Sequence, residues 1–158
     1  MIYRKETLSN AIMFSHAYEL LINQFHKAEL ERDKNELGLL FVPVCVNCAF
    51  SCELFLKAML PPGTRGHKLY TDLYSKLDPS VADRICSSVV ENMAFHTEGY
   101  SSDNFESDLK EHEPAFEQWR YFHEGRRSLS YNMIFMRILQ GCLKGIALTE
   151  PREDSVAL

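Results

Sequence analysis

No complete enzymatic motif, no internal repeat and no confident strand pattern occurs in this 158-residue chain. The first absence means that no signature announces a reaction class. The other two direct the fold toward helices. Positive charge is also in deficit, with 17 Lys+Arg against 22 Asp+Glu and a formal charge of -5. A general nucleic-acid coat needs a broadly positive face to displace counterions from phosphates, so that class is disfavoured and only a local basic patch remains open. No basic flank, apolar segment and small-residue cleavage site follow one another at the N-terminus, and Asn47, Ser51, Glu53 and Lys57 interrupt the longest apolar stretch. We therefore expect a soluble, cytoplasmic protein with no membrane span.

Cysteine lacks an even count that would pair off: there are five, at 45, 48, 52, 86 and 142. Cys45 and Cys48 form a CxxC, but no strand precedes it as in a redox motif, and no second CxxC or His pair supplies zinc-ligand spacing. Unpaired thiols used as small core residues are the expectation, with three of them on one helix face and no metal or cofactor implied.

What is present is a chain with 46% hydrophobic residues, enough for one domain around a single core. Residues 1–149 are expected to form it, with 150–158 a short flexible tail. From Glu6 to about Arg32, the residues Leu8, Ala11, Ser15, Tyr18, Ile22 and Phe25 repeat at three and four, a helical packing stripe widened by Phe14, Ala17 and Leu21. Leu37 to Leu60 reads as a second helix with Pro43 in its first turn, stopped by Pro61-Pro62-Gly63. Leu69, Leu73 and Leu77 predict a short helix from about His67. Asp78 caps the next, with Pro79 in its first turn and Val81, Ile85, Val89 and Met93 inward. Ser102 or Asp103 is expected to cap a helix through Phe105 and Leu109, and Pro114 restarts it toward Glu124 with Phe116, Trp119 and Phe122 near core spacing. A last helix from about Leu129 to Leu148 would pack through Ile134, Ile138, Leu139, Cys142 and Ile146, leaving Asn132, Arg137, Gln140 and Lys144 at polar edges. The architecture read from the residues is all-α, long antiparallel helices with shorter ones inserted between them.

Three polar groups need a reason. Glu53 and Lys57, four apart with the glutamate first, pair well on a helix; they form either a rim salt bridge or part of a buried set. Embedded among Phe50, Leu54 and Phe55, Glu53 would then need a cation from another helix, and Arg120 is the leading candidate. His67, at the opening of the third helix, either packs or serves as an acid or base. The run from Trp119 to Glu124, with Arg126 and Arg127 beyond, is either an amphipathic helix end or the chain's densest cationic patch, Arg120, His123, Arg126 and Arg127, suited to phosphate.

The stretches AFSCELFLKAML, GHKLYTDLYSKLD and AFEQWRYFHE, in that order before an apolar last helix, resemble the HEPN superfamily of small helical domains over the middle and C-terminal two-thirds of the chain. The resemblance implies an up-and-down bundle of four main helices with additional short ones, frequently a homodimer, in a bacterial toxin-antitoxin or phage-defence setting. A nucleotidyltransferase-like partner protein belongs to the same expectation. Many such proteins are metal-independent RNases with an Arg followed after four to six residues by His. Here the first histidine after Arg120 is His123, with two residues between, which resembles the WRY-type variants lacking the nuclease signature. The expected role is therefore a binding or regulatory module for RNA, a nucleotide or a protein partner. Glu53, Lys57, His67, Arg120, Tyr121, Glu124, Arg126 and Arg127 are its candidate binding residues. The alternatives are a divergent endoribonuclease with Arg120 and His123 catalytic, and a purely structural interaction protein.

Overall fold

The computed structural model describes residues 2–121 and 131–150, with side chains from residue 5 onward. Among the described residues there are six α-helices and no strand: α1 (Ile2–Glu31), α2 (Lys34–Ala58), α3 (Pro79–Met93), α4 (Ser102–Glu111), α5 (Ala115–Arg120) and α6 (Met133–Thr149). The chain is an all-α helical bundle. Its expected tail falls outside the described residues from 151 onward, while Glu150 still reaches back to pair with Arg84 of α3.

α1 buries the stripe that its three-and-four spacing predicts: Leu8, Ala11, Ser15, Tyr18, Ile22 and Phe25, continued by Ala28. A tight reversal follows, in which Arg32 takes a left-handed φ of 54° and the amide of Asp33 donates to the Ala28 carbonyl at 2.9 Å. The Asp33 side chain accepts from the Glu36 amide at 3.1 Å and starts α2. That cap corrects the placement of Pro43, which lies inside α2 rather than in its first turn. Proline is tolerated there because both Pro43 and Leu39, whose carbonyl it leaves without an amide partner, are on the exposed side, within reach of water.

α2 is the hub, packed against α1, α5, α6 and the segment that begins at Leu69. It is long and apolar enough, by length and composition, to cross a membrane, and half of that apolar window is buried in the bundle. Cys45, Cys48 and Cys52 lie on its buried face and are free thiols, as their spacing suggests. Burial pushes the Cys45 thiol up to about 12, far from a reactive thiolate.

The third expected helix is not regular. Leu69–Leu73 forms one π-helical turn and Tyr74–Lys76 one 3-10 turn, yet Leu69, Leu73 and Leu77 all reach the core. The Asp72 carboxylate accepts the His67 and Lys68 amides, a side-chain tie that replaces regular capping. α3 matches expectation, capped by Asp78 with Pro79 in its first turn and Val81, Ile85, Val89 and Met93 buried. α4 is capped by Ser101, which shares a reciprocal capping box with Asn104, instead of by Ser102 or Asp103.

α6 buries much of the expected face, with Leu139 and Ile146 inside and Ile138 and Cys142 packed against the core, but it departs at Ile134 and Gln140. Asn132 is its N-cap, and Phe135, Met136, Leu139, Gln140, Leu143, Ile146 and Ala147 point inward, while Ile134 is exposed. The helix is apolar almost all round, so spacing alone does not choose the face; α1 and α2 do. Gln140, expected at an edge, instead donates to the buried Ser15 hydroxyl of α1 at 2.7 Å, and Lys144 pairs with Glu19 at 2.5 Å. His112 is a second polar pin. Its Nδ1–H donates to the Asp108 carbonyl and its Nε2 accepts the Asn132 amide, each at 2.8 Å. A carbonyl only accepts and an amide only donates, so these partners fix a neutral tautomer that joins the end of α4 to the start of α6.

Candidate functional site

The core geometry forces a carboxylate inward at Glu53. Cys52 and Leu56 fix one side of α2 in the bundle, and Glu53, one residue on, is left 1% exposed. Its Oε1 accepts from Lys57 Nζ and from His67 Nδ1, both at 2.8 Å. Its Oε2 is buried with no hydrogen-bond partner among the described residues. The Lys57 side chain is 15% exposed and that of His67 45%, so the set is sealed on the α2 side and open on the loop side.

His67 is placed there by its backbone. Pro61 and Pro62 end α2, and the chain returns through Gly66, at φ +108°. A Cβ on Gly66 would sit 2.3 Å from Asp72 Oδ2, the atom that takes the amides of His67 and Lys68 at 3.1 Å each. Those amides, that of Lys68 foremost, hold the Asp72 carboxyl below its ordinary range. The next amides are tied to the α4–α5 junction: Leu69 N–H donates to the Glu113 carbonyl at 3.0 Å, and Thr71 N–H to its carboxylate at 2.8 Å. A loop anchored through the amides of His67, Lys68, Leu69 and Thr71 presents the imidazole to Glu53 without relying on helix geometry.

Beside this set stands an aromatic column. Phe14 of α1 meets Phe50 of α2 edge-on at 4.5 Å, and Phe50 stacks on Phe116 of α5 at 4.4 Å and 15°. The His67 ring lies 6.4 Å from Phe116. The Arg120 guanidinium sits 4.8 Å from the Phe116 ring centre and 4.4 Å from that of Tyr121. Trp119 turns the other way, packing edge-on against Phe41 and Tyr131.

Of the candidate residues, Glu53, Lys57 and His67 come together on the side of α2 where α5 packs. One expectation is corrected: Glu53 is not paired with Arg120. Lys57, one turn along the same helix, and His67, carried by the loop, occupy its available oxygen, while Arg120, at the exposed end of α5, spreads over Phe116 and Tyr121. His123, Glu124, Arg126 and Arg127 lie outside the described residues. Asp72, Gly66 and Phe116 carry the site and were missed as members of it. A glycine before His67 and an aspartate five residues after it were the available signals. The groove between α3 and α6, about 690 Å³ and lined by Phe95, Ile134, Arg137, Gly141 and Gly145 among others, shares no residue with this seam. Among the described residues no His, Cys, Asp and Glu cluster could hold a metal ion.

No protein-family model, curated protein or solved structure matches this chain.

Proposed function

We propose that this chain is a HEPN-like helical binding module whose ligand is a nucleotide or single-stranded RNA, held at the seam between α2, the Gly66–His67 loop and the end of α5. Arg120 is the observation that carries the proposal. It is exposed, it stacks on two rings, and it forms no ion pair with a carboxylate among the described residues. A guanidinium with its donor fork unspent is suited to a phosphate. Tyr121, 46% exposed, offers a face on which a base can stack. Arg65 and Lys68, both exposed, add charge on the loop side. The overall charge of -5 fits a discrete site rather than a coat. The HEPN resemblance adds a homodimer to the proposal, which light scattering tests. Fluorescence polarisation with labelled single-stranded RNA at several salt concentrations tests the binding. Arg120→Glu should weaken it by roughly tenfold or more, as losing a charge-assisted contact does, whereas Lys110→Glu, at a cation already paired with Glu106, should leave most of it. Unchanged binding by Arg120→Glu would overturn the proposal.

The Glu53–His67 bond favours a second reading, a metal-independent endoribonuclease. A buried carboxylate that receives Nδ1–H leaves Nε2 to exchange a proton, which supports His67 in the acid-base role that the sequence leaves open for it. RNA cleavage in EDTA that is lost in both His67→Ala and Arg120→Ala, with the fold retained, would move the conclusion to the nuclease.

A further inference from the structure

Glu53 Oε2 is buried, and no group in the described residues donates to it. A carboxylate oxygen in that position normally has a hydrogen-bond partner, because desolvating it uncompensated is costly. What it lacks is a hydrogen and not a charge, since Lys57 already balances the carboxylate through Oε1. The missing partner is therefore a neutral N–H or O–H donor. The open side of the set is the loop side, where His67, at 45% exposure, is the outermost of the three groups.

Resting on the nucleotide-binding reading above, we infer that Glu53 Oε2 reads the exocyclic amino group of a nucleobase, with rotation of His67 uncovering the oxygen and Arg120 engaging the phosphate. Cytosine, adenine and guanine each carry such an amine. Uracil has no amine: its neutral donor is the ring N3–H, flanked by two carbonyl oxygens that repel a carboxylate. Selection for amino-bearing bases follows from that repulsion, because a hydrogen bond to a charged group discriminates strongly between a donor and an acceptor.

Cytidine and uridine 5'-monophosphate differ at ring position 4 by an amine against a carbonyl, together with the protonation of the neighbouring nitrogen. That makes them the decisive probes. Their affinities, with ribose 5-phosphate as a baseless control and short oligocytidylate and oligouridylate strands in parallel, are measured by calorimetry or by NMR titration of the full chain. Cytidylate is expected to bind on the order of tenfold tighter than uridylate. Glu53→Gln turns its carbonyl oxygen to Lys57 and its amide to the ligand, so that preference should vanish or reverse. Equal binding of cytidylate, uridylate and ribose 5-phosphate would show that the phosphate is held and the base unread, which overturns this inference and leaves the binding module standing. Absence of binding by every probe would overturn both. A wild-type preference that survives Glu53→Gln assigns base reading to another group and likewise overturns the inference.

Discussion

Lys57→Met isolates the buried charge, since it removes the ammonium and keeps most of the stem. Glu53 is 1% exposed and shares one oxygen between Lys57 and His67 at 2.8 Å each. Losing one partner of a buried pair costs about 3–5 kcal/mol. His67 keeps its bond to the same oxygen, which lowers the expectation to about 2–3 kcal/mol. The reverse change, Glu53→Gln, keeps a carbonyl oxygen for Lys57, and the His67 ring, partly exposed, can turn to water, so about 1 kcal/mol is expected. The double variant Glu53→Met/Lys57→Met removes both charges and fills the space with methylenes, and should fall within about 1 kcal/mol of the wild type. Urea unfolding reads all three, by far-UV circular dichroism and by fluorescence of Trp119. It is the only tryptophan in the chain and is buried between Phe41 and Tyr131, so it reports the packing of α5 on α2. Midpoints compare directly where the slopes agree. If Glu53→Gln costs as much as Lys57→Met, or the double variant is worse than either single one, the carboxylate is not desolvated in solution and the seam is a rim salt bridge.

Gly66→Ala places a Cβ against the Asp72 carboxylate in a backbone region that side chains rarely adopt, and a loss of about 1–2 kcal/mol is expected in the same urea assay; a neutral result would mean that the loop re-forms without its aspartate tie. Asp72 titrates below its ordinary range because backbone amides bond its charged form, so its contribution is complete above the unfolded value near ~3.9 and is lost as pH falls through the lower folded one. Amide exchange at His67 and Lys68, corrected for intrinsic rates, should therefore stay slow from neutral pH to about pH 4 and quicken only below it; quickening above that range would refute the tie. With the Cys45 thiol at about 12 and its neighbours fully buried, iodoacetamide at mildly alkaline pH should modify Cys86 and Cys142 first and reach the three α2 thiols only as the protein unfolds. Early mass-spectrometric labelling at Cys45 would contradict the packing of α2.

The parts of the fold legible in the sequence are those where one physical signal dominates. The Leu8-to-Phe25 stripe, the Asp78-Pro79 start and the buried thiols of α2 follow from spacing and capping alone. Pro43 was misplaced because a proline suggests a first turn wherever no stronger cap is noticed, and Asp33, ten residues earlier, is that cap. The buried face of α6 was only partly readable: Leu139 and Ile146 follow from spacing, whereas Gln140 goes inside because Ser15 of α1 offers it a buried partner. At the site, position along the chain could bring Glu53 near the Trp119 segment. It could not say that His67, coming through an irregular π turn tied by Asp72, would arrive first.

That order of arrival decides what the site has to offer. Had Arg120 closed on Glu53, its donors would be spent inside the bundle and the seam would be a structural lock. Because Lys57 is only one turn from Glu53, its ammonium reaches the carboxylate along the same helix and needs no tertiary arrangement. Arg120 is then held by π-faces rather than by a counter-charge, an attachment worth about 0.5–1 kcal/mol at an exposed site. A phosphate that forms two charge-assisted bonds to it outweighs that attachment without breaking a salt bridge. Among the described residues, the same division leaves one carboxylate oxygen without a hydrogen-bond donor and one guanidinium without a counter-charge, the latter over the ring of Phe116. A ligand with an anionic end and a neutral donor end satisfies both, and a nucleotide with an amino-bearing base has that composition.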